Sequence, residues 1–264
     1  MGPMSAKPAR HPVLFLGHGS PMNAIEDSDF TRVLAALGAR LPWPKAVLCV
    51  SAHWLTEGTM IGGMAQPRTL HDFGGFPDAL YAVQYPAPGN PALAARVRDL
   101  LGAGAGVDDG EWGLDHGAWS VLRHMYPKAD VPVVQLSVDM IAAPSEKFDL
   151  GRKLRPLRDE GVLILGSGNV VHNLRRISFE EDAPPAPWAV EFDSWIKGRL
   201  EARDDEALLG DLSRAPSGSL AVPTPDHYDP LLYVLGAADD DETPRFEYEG
   251  IQNGSLSMRA VLFG

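Results

Sequence analysis

A single cysteine, Cys49, is all the thiol chemistry this chain carries, so no intrachain disulfide forms and no cysteine cluster holds a metal. It lies within the apolar run AVLCVSAH, where a buried, inert thiol is expected and a reducing compartment suits it. Long apolar runs are also missing. No stretch reaches the roughly 18 consecutive apolar residues of a spanning helix, and the opening MGPMSAKPARHP has no apolar leader core. Gly2 is followed by Pro3, and Ala6 stands where an acylation signal requires Ser or Thr. A cytoplasmic protein without a membrane partner is expected.

Positive charge is scarce too. Against 35 Asp and Glu stand 23 Lys and Arg, a formal net charge of −12. Such a surface repels a phosphate backbone, and no basic cluster offsets it locally, which argues against nucleic acid as a partner. Three catalytic signatures are absent: the GxxxxGK[ST] phosphate loop, the GxGxxG turn that opens a dinucleotide-binding helix, and the GxSxG elbow of serine hydrolases.

What is present is ample core material, 45% apolar in 264 residues. Short, β-branched apolar runs at 13–16, 46–51, 131–136 and 162–165 read as strands buried on both faces. Helical patterns alternate with them. Asn90-Pro91 opens PALAARVRDLL and Gly102 closes it, Ser145 and Glu146 lead into EKFDLGRKLRPLRDEG, and AWSVLRHMY is helical. Over Pro187–Ala202, Trp188, Phe192, Trp195, Ile196 and Leu200 form one apolar stripe, read as core packing. FEYEGIQNGSLSMRAVLF reads as two β runs joined through Asn253-Gly254, an antiparallel pair closing one side of the sheet. The acidic, proline-rich stretch 180–187 is too short to separate domains. The expected fold is one α/β domain over residues 1–264, with a central mixed, mostly parallel sheet covered by helices on both faces.

Of eight histidines, four stand where a strand-like run breaks into a loop: His18 in LFLGHGSP, His53 in VLCVSAHW, His172 in VLILGSGNVVH and His227 in PTPDHYDP. Parallel strands that end together bring such residues to one edge of a sheet, a geometry that builds a metal site. Neutral imidazole serves equally as metal ligand and as general acid or base. His11 and His124 read as structural. The long connection 66–91 holds Phe73, Phe76, Tyr81 and Tyr85, which either wall a pocket for a planar ligand or pack the loop down. His71 beside Asp72 in that loop either contacts substrate or makes a structural hydrogen bond. Residue chemistry alone leaves a zinc hydrolase as an alternative, separated from an oxygenase by whether O2 is consumed.

LFLGHGSPMN, CVSAHW, LHDFGGFP, YPAPGNPALA, WGLDHGAW, VPVVQLSVD, GSGNVVHNL, PTPDHYDPLLYVLGA and GSLSMRAV together resemble the class III extradiol ring-cleaving dioxygenases, and within them the bacterial DOPA-dioxygenase-like group. The resemblance runs over essentially the whole chain. It implies that His18, His53 and His227 bind one divalent metal ion, that His172 is the catalytic acid and base beside it, and that His116 is a further active-site histidine. It also implies a small catecholic substrate with O2, and Fe(II) as the working ion. The wider class commonly holds Fe(II) with two histidines and a carboxylate, whereas the third ligand here is His227, flanked by Asp226 and Asp229. Three imidazoles with an open position also suit Zn(II).

Overall fold

Each apolar run becomes a strand in the middle of one sheet because every one of its side chains has a covering layer to enter. The computed structural model describes residues 10–180 and 183–264. The N-terminal segment read above for leader and acylation signals, and two residues of the acidic stretch, lie outside those described. Strands β1 (Val13–Gly17), β2 (Ala46–Thr56), β3 (Thr59–Gly62), β4 (Ala105–Asp108), β5 (Val133–Asp139), β6 (Val162–Gly168), β7 (Arg245–Tyr248) and β10 (Ala260–Phe263) form an eight-stranded sheet. Its order is β4-β3-β5-β2-β6-β1-β10-β7. The central strands β5, β2, β6 and β1 run parallel, while β3 against β5, β10 against β1 and β7 against β10 are antiparallel. β8 (Ile251–Gln252) and β9 (Leu256–Ser257) form a separate small hairpin.

Helices follow as α1 (Asp29–Arg40), α2 (Asp78–Tyr81), α3 (Pro91–Leu101), α4 (His116–Met125), α5 (Pro144–Leu154), α6 (Pro156–Asp159), α7 (Pro187–Ala202), α8 (Asp205–Leu209), α9 (Gly218–Ala221) and α10 (Asp229–Ala237). The pleat sends Val13, Phe15, Leu48 and Val50 into one core with α3, α5, α7 and α10. Leu14, Leu16, Val47 and Cys49 enter the other, with α1 and α4. Helices thus cover both faces, as the strand composition predicts. No helix among the described residues is long and apolar enough to cross a membrane.

Local chemistry sets several boundaries and moves others. Asn90 caps α3 by accepting from Leu93 N at 3.0 Å. Pro156, which lacks a backbone donor, splits the expected helix over EKFDLGRKLRPLRDEG into α5 and α6. β2 continues past Ser51 through His53 to Thr56, because no turn residue interrupts AHWLT before Gly58. The C-terminal region holds four strands where two were expected: β7 and β10 close the sheet edge, and between them the β8–β9 hairpin turns on Asn253 and Gly254 at φ of 52° and 72°.

Candidate active site

The carboxyl ends of the parallel strands converge on one cluster of imidazoles, the usual place for a crevice in a parallel sheet. β1 ends at Gly17 and delivers His18. His53 projects from inside β2, where the pairing with β5 is irregular between Val50 and Leu55. His172 follows β6 and is held by its main chain, with His172 N donating to Ala221 O at 2.9 Å. His227 does not end a strand, contrary to the sequence reading. It sits in the turn before α10, whose apolar residues LLYVLGA follow it and are helical. Gly168 makes this close approach feasible, since a Cβ there would lie 2.1 Å from His227 O. A buried ion pair between Lys147 and Asp229, 2.5 Å apart, ties α10 to α5 just beyond His227.

The rings meet. His18 Nε2 lies 3.0 Å from His53 Nε2, and one ligand atom from each of His18, His53 and His227 falls within 4.8 Å of the others. Each outer nitrogen faces an oxygen of its own. Ser167 Oγ donates to Gly117 O at 2.5 Å, so its 3.0 Å contact with His18 Nδ1 requires the ring to donate there. His227 Nδ1 donates to Asp226, and His53 Nδ1 lies 3.5 Å from Asp72 Oδ2. Neutral imidazole has one proton, so these partners leave the Nε2 atoms of His18 and His227 bare, with His53 Nε2 facing that of His18. His227 Nε2 is buried with no hydrogen-bond partner. A buried nitrogen without a partner, beside two more imidazoles with carboxylate or hydroxyl groups behind them, fits a divalent cation.

His172 stacks on His227 with ring centroids 3.5 Å apart and planes 4° from parallel. His116, the first residue of α4, lies against His53 at 3.9 Å between centroids. Its main-chain N–H donates to Asp72 Oδ1 at 2.9 Å, and its Nδ1 stands 3.0 Å from the same oxygen without hydrogen-bond alignment. All five histidines proposed from sequence therefore meet at one place. Asp226 adjoins His227 in the sequence, but composition gave no pointer to the supports Asp72 and Ser167, because nothing in their own neighbourhood in sequence announces a distant imidazole.

The other aromatic and histidine residues divide. Phe73 packs 5.5 Å from His116, and Phe76 and Tyr81 pack on Phe73, so these loop residues border the cluster. Tyr85 does not. It is buried, its hydroxyl donating to Tyr126 O at 3.1 Å. His71 makes the structural bond, Nε2 to Val83 O at 2.9 Å, His124 contacts Asn23 O through Nε2 at 2.8 Å, and His11 is buried against Arg158.

Burial, then the neighbouring imidazoles, hold His18 and His53 well below the ordinary histidine range, and lower His172 to about 3. Burial pushes the Asp115 carboxyl, capped by Ser51 and Gln135, up to about 6. Below roughly pH 6.5 the unfolded chain takes up histidine protons that the native site refuses, so the penalty is absent above that value and grows as pH falls. Native Asp115 takes up one proton early and offsets one of the three histidines. Metal-free protein is therefore expected to lose stability as pH falls below about 6. Urea denaturation at several pH values measures this, and a flat profile would contradict it.

Comparison with known proteins places this geometry in context. Residues 12–262 match the family model described as the catalytic LigB subunit of aromatic ring-opening dioxygenase. The chain is 51% identical, over 97% of its length and 95% of the relative's, to a protein of Escherichia coli K12 named 4,5-DOPA dioxygenase extradiol. It is 39% identical to a Beta vulgaris protein of the same name, covering 94% of this chain and 95% of that one. The crystal structure of an uncharacterized Escherichia coli K12 protein superposes with a TM-score of 0.85 at 46% identity, covering 97% of this chain and all of that one.

Proposed function

The chain belongs to the family of the catalytic LigB subunit of aromatic ring-opening dioxygenases, and from that premise we propose that its substrate is a catechol of the DOPA-like kind, opened beside its two hydroxyls to a semialdehyde. It is an extradiol dioxygenase. His18, His53 and His227 hold one divalent cation, Fe(II) for turnover, with Zn(II) as a competing occupant. The observation that carries this reading is the orphaned His227 Nε2 converging with two other imidazoles.

When bound, the cation supplies Lewis acidity toward the phenolic oxygens and redox access to O2. The residues do the rest. His172, neutral over the working pH range, takes a proton from a substrate hydroxyl and later returns it. Its low basicity suits a donor more acidic than free phenol, and the developing substrate charge strengthens it. His116 donates a hydrogen bond to the charge that builds on oxygen. Phe73, Phe76 and Tyr81 cover the aromatic ring and exclude water. The buried Cys49, its thiol pushed well up by burial, fits a reducing cytoplasm.

The test is O2 uptake by Fe(II)-reconstituted protein across a catechol panel, followed by the yellow absorbance of a semialdehyde. One O2 consumed per catechol is expected. Catechols left intact with no uptake would overturn the reading. Hydrolysis by the same histidines requires no O2, and the relatives named above are dioxygenases.

A further inference from the structure

Two of the five clustered histidines owe their setting to a residue outside the sheet. Asp72 comes from the covering loop 66–91, yet its side chain is only 17% exposed and reaches both His116 and His53. Its two oxygens have different tasks. Oδ1 accepts the His116 main-chain N–H at 2.9 Å. That N–H opens α4 and has no acceptor within the helix, so it commits this oxygen. Oδ2 is then the atom that faces His53 Nδ1, at 3.5 Å. A carboxylate only accepts, so Asp72 favours the neutral His53 that carries its proton on Nδ1, against the competing 3.0 Å hydrogen bond between His53 Nε2 and His18 Nε2 in the metal-free protein.

We propose that Asp72 is a positioning residue: it fixes the tautomer of His53 so that Nε2 is free for the cation, and it ties that state to the seating of the covering loop. The inference rests on the reading of His53 as a metal ligand. The Phe73 ring beside His116 continues the same anchor, so loop and cluster share one attachment.

Two variants separate positioning from packing. In Asp72→Asn the amide oxygen stays on the His116 N–H, which has no other acceptor, and the NH2 group turns to His53 Nδ1. That nitrogen must then accept, and the proton moves to Nε2. Asp72→Ala removes the support but imposes no tautomer. Cobalt(II) titrated into metal-free protein, read by visible absorption against a competing chelator, is expected to bind Asp72→Asn roughly 10–100-fold more weakly than wild type. Asp72→Ala should fall between the two. Histidine ¹⁵N spectra of the metal-free proteins should show a larger fraction of His53 protonated on Nδ1 in wild type than in Asp72→Asn.

Cobalt affinity unchanged in Asp72→Asn, or Asp72→Ala weaker than Asp72→Asn, would overturn the proposal while leaving the dioxygenase reading intact. A wild-type protein that takes up no cobalt would remove the ligand reading, and this inference with it. Ring cleavage need not be measured at any step.

Discussion

His227→Ala is expected to give a folded protein that no longer retains a divalent cation and no longer consumes O2 with any catechol. The side chain is buried but its main chain is anchored independently: His227 O accepts from Asn169 N at 2.8 Å, and the Lys147–Asp229 pair holds the start of α10. Losing the ring therefore leaves the backbone seated. It also relieves the crowding of neutral imidazoles, so metal-free stability should hold. The cation loses one of three donors outright, which costs more than the roughly 100-fold attached to an outer partner. Metal content after dialysis against a weak chelator, with thermal melting as a control, checks this. Stoichiometric metal in the variant would remove His227 from the ligand set.

The second large effect is expected at His172, where replacement by Phe keeps a flat ring over His227 and removes the nitrogens that carry the proton. The 3.5 Å stack should survive, and the main-chain bond to Ala221 does not involve the ring. Metal should stay bound while kcat falls by about 10²–10⁴, the usual worth of a general acid–base group. The same stacking explains why His172 starts neutral: an imidazolium lying flat on His227 would lose its water shell and face the partner ring at close range. A rate within about tenfold of wild type, with metal retained, would assign proton transfer to another group.

The sheet was legible because its central strands are buried on both faces and so read as unbroken apolar runs: 13–16 and 162–165 lie inside β1 and β6. β3 and β4 were not, since TMIG and AGVD are too short and mixed to stand out from a loop. All five site histidines were identifiable, four from strand-like surroundings and His116 from the family resemblance. The surroundings misled for His227, which sits in the turn before α10 and ends no strand. Asp72 and Ser167 were beyond reach for another reason. Their importance lies in which nitrogen they leave bare, and that depends on a contact across as many as 149 positions between Ser167 and His18.

The position of β1 carries a consequence for folding. The strand that delivers His18 is flanked by β6 and by β10, both far from it along the chain. Until those neighbours dock, β1 has open edges, and the first imidazole of the cluster has no settled place. Such long-range pairing folds slowly. A form in which it is incomplete would expose an apolar strand, so metal uptake is expected only after these distant strands have paired.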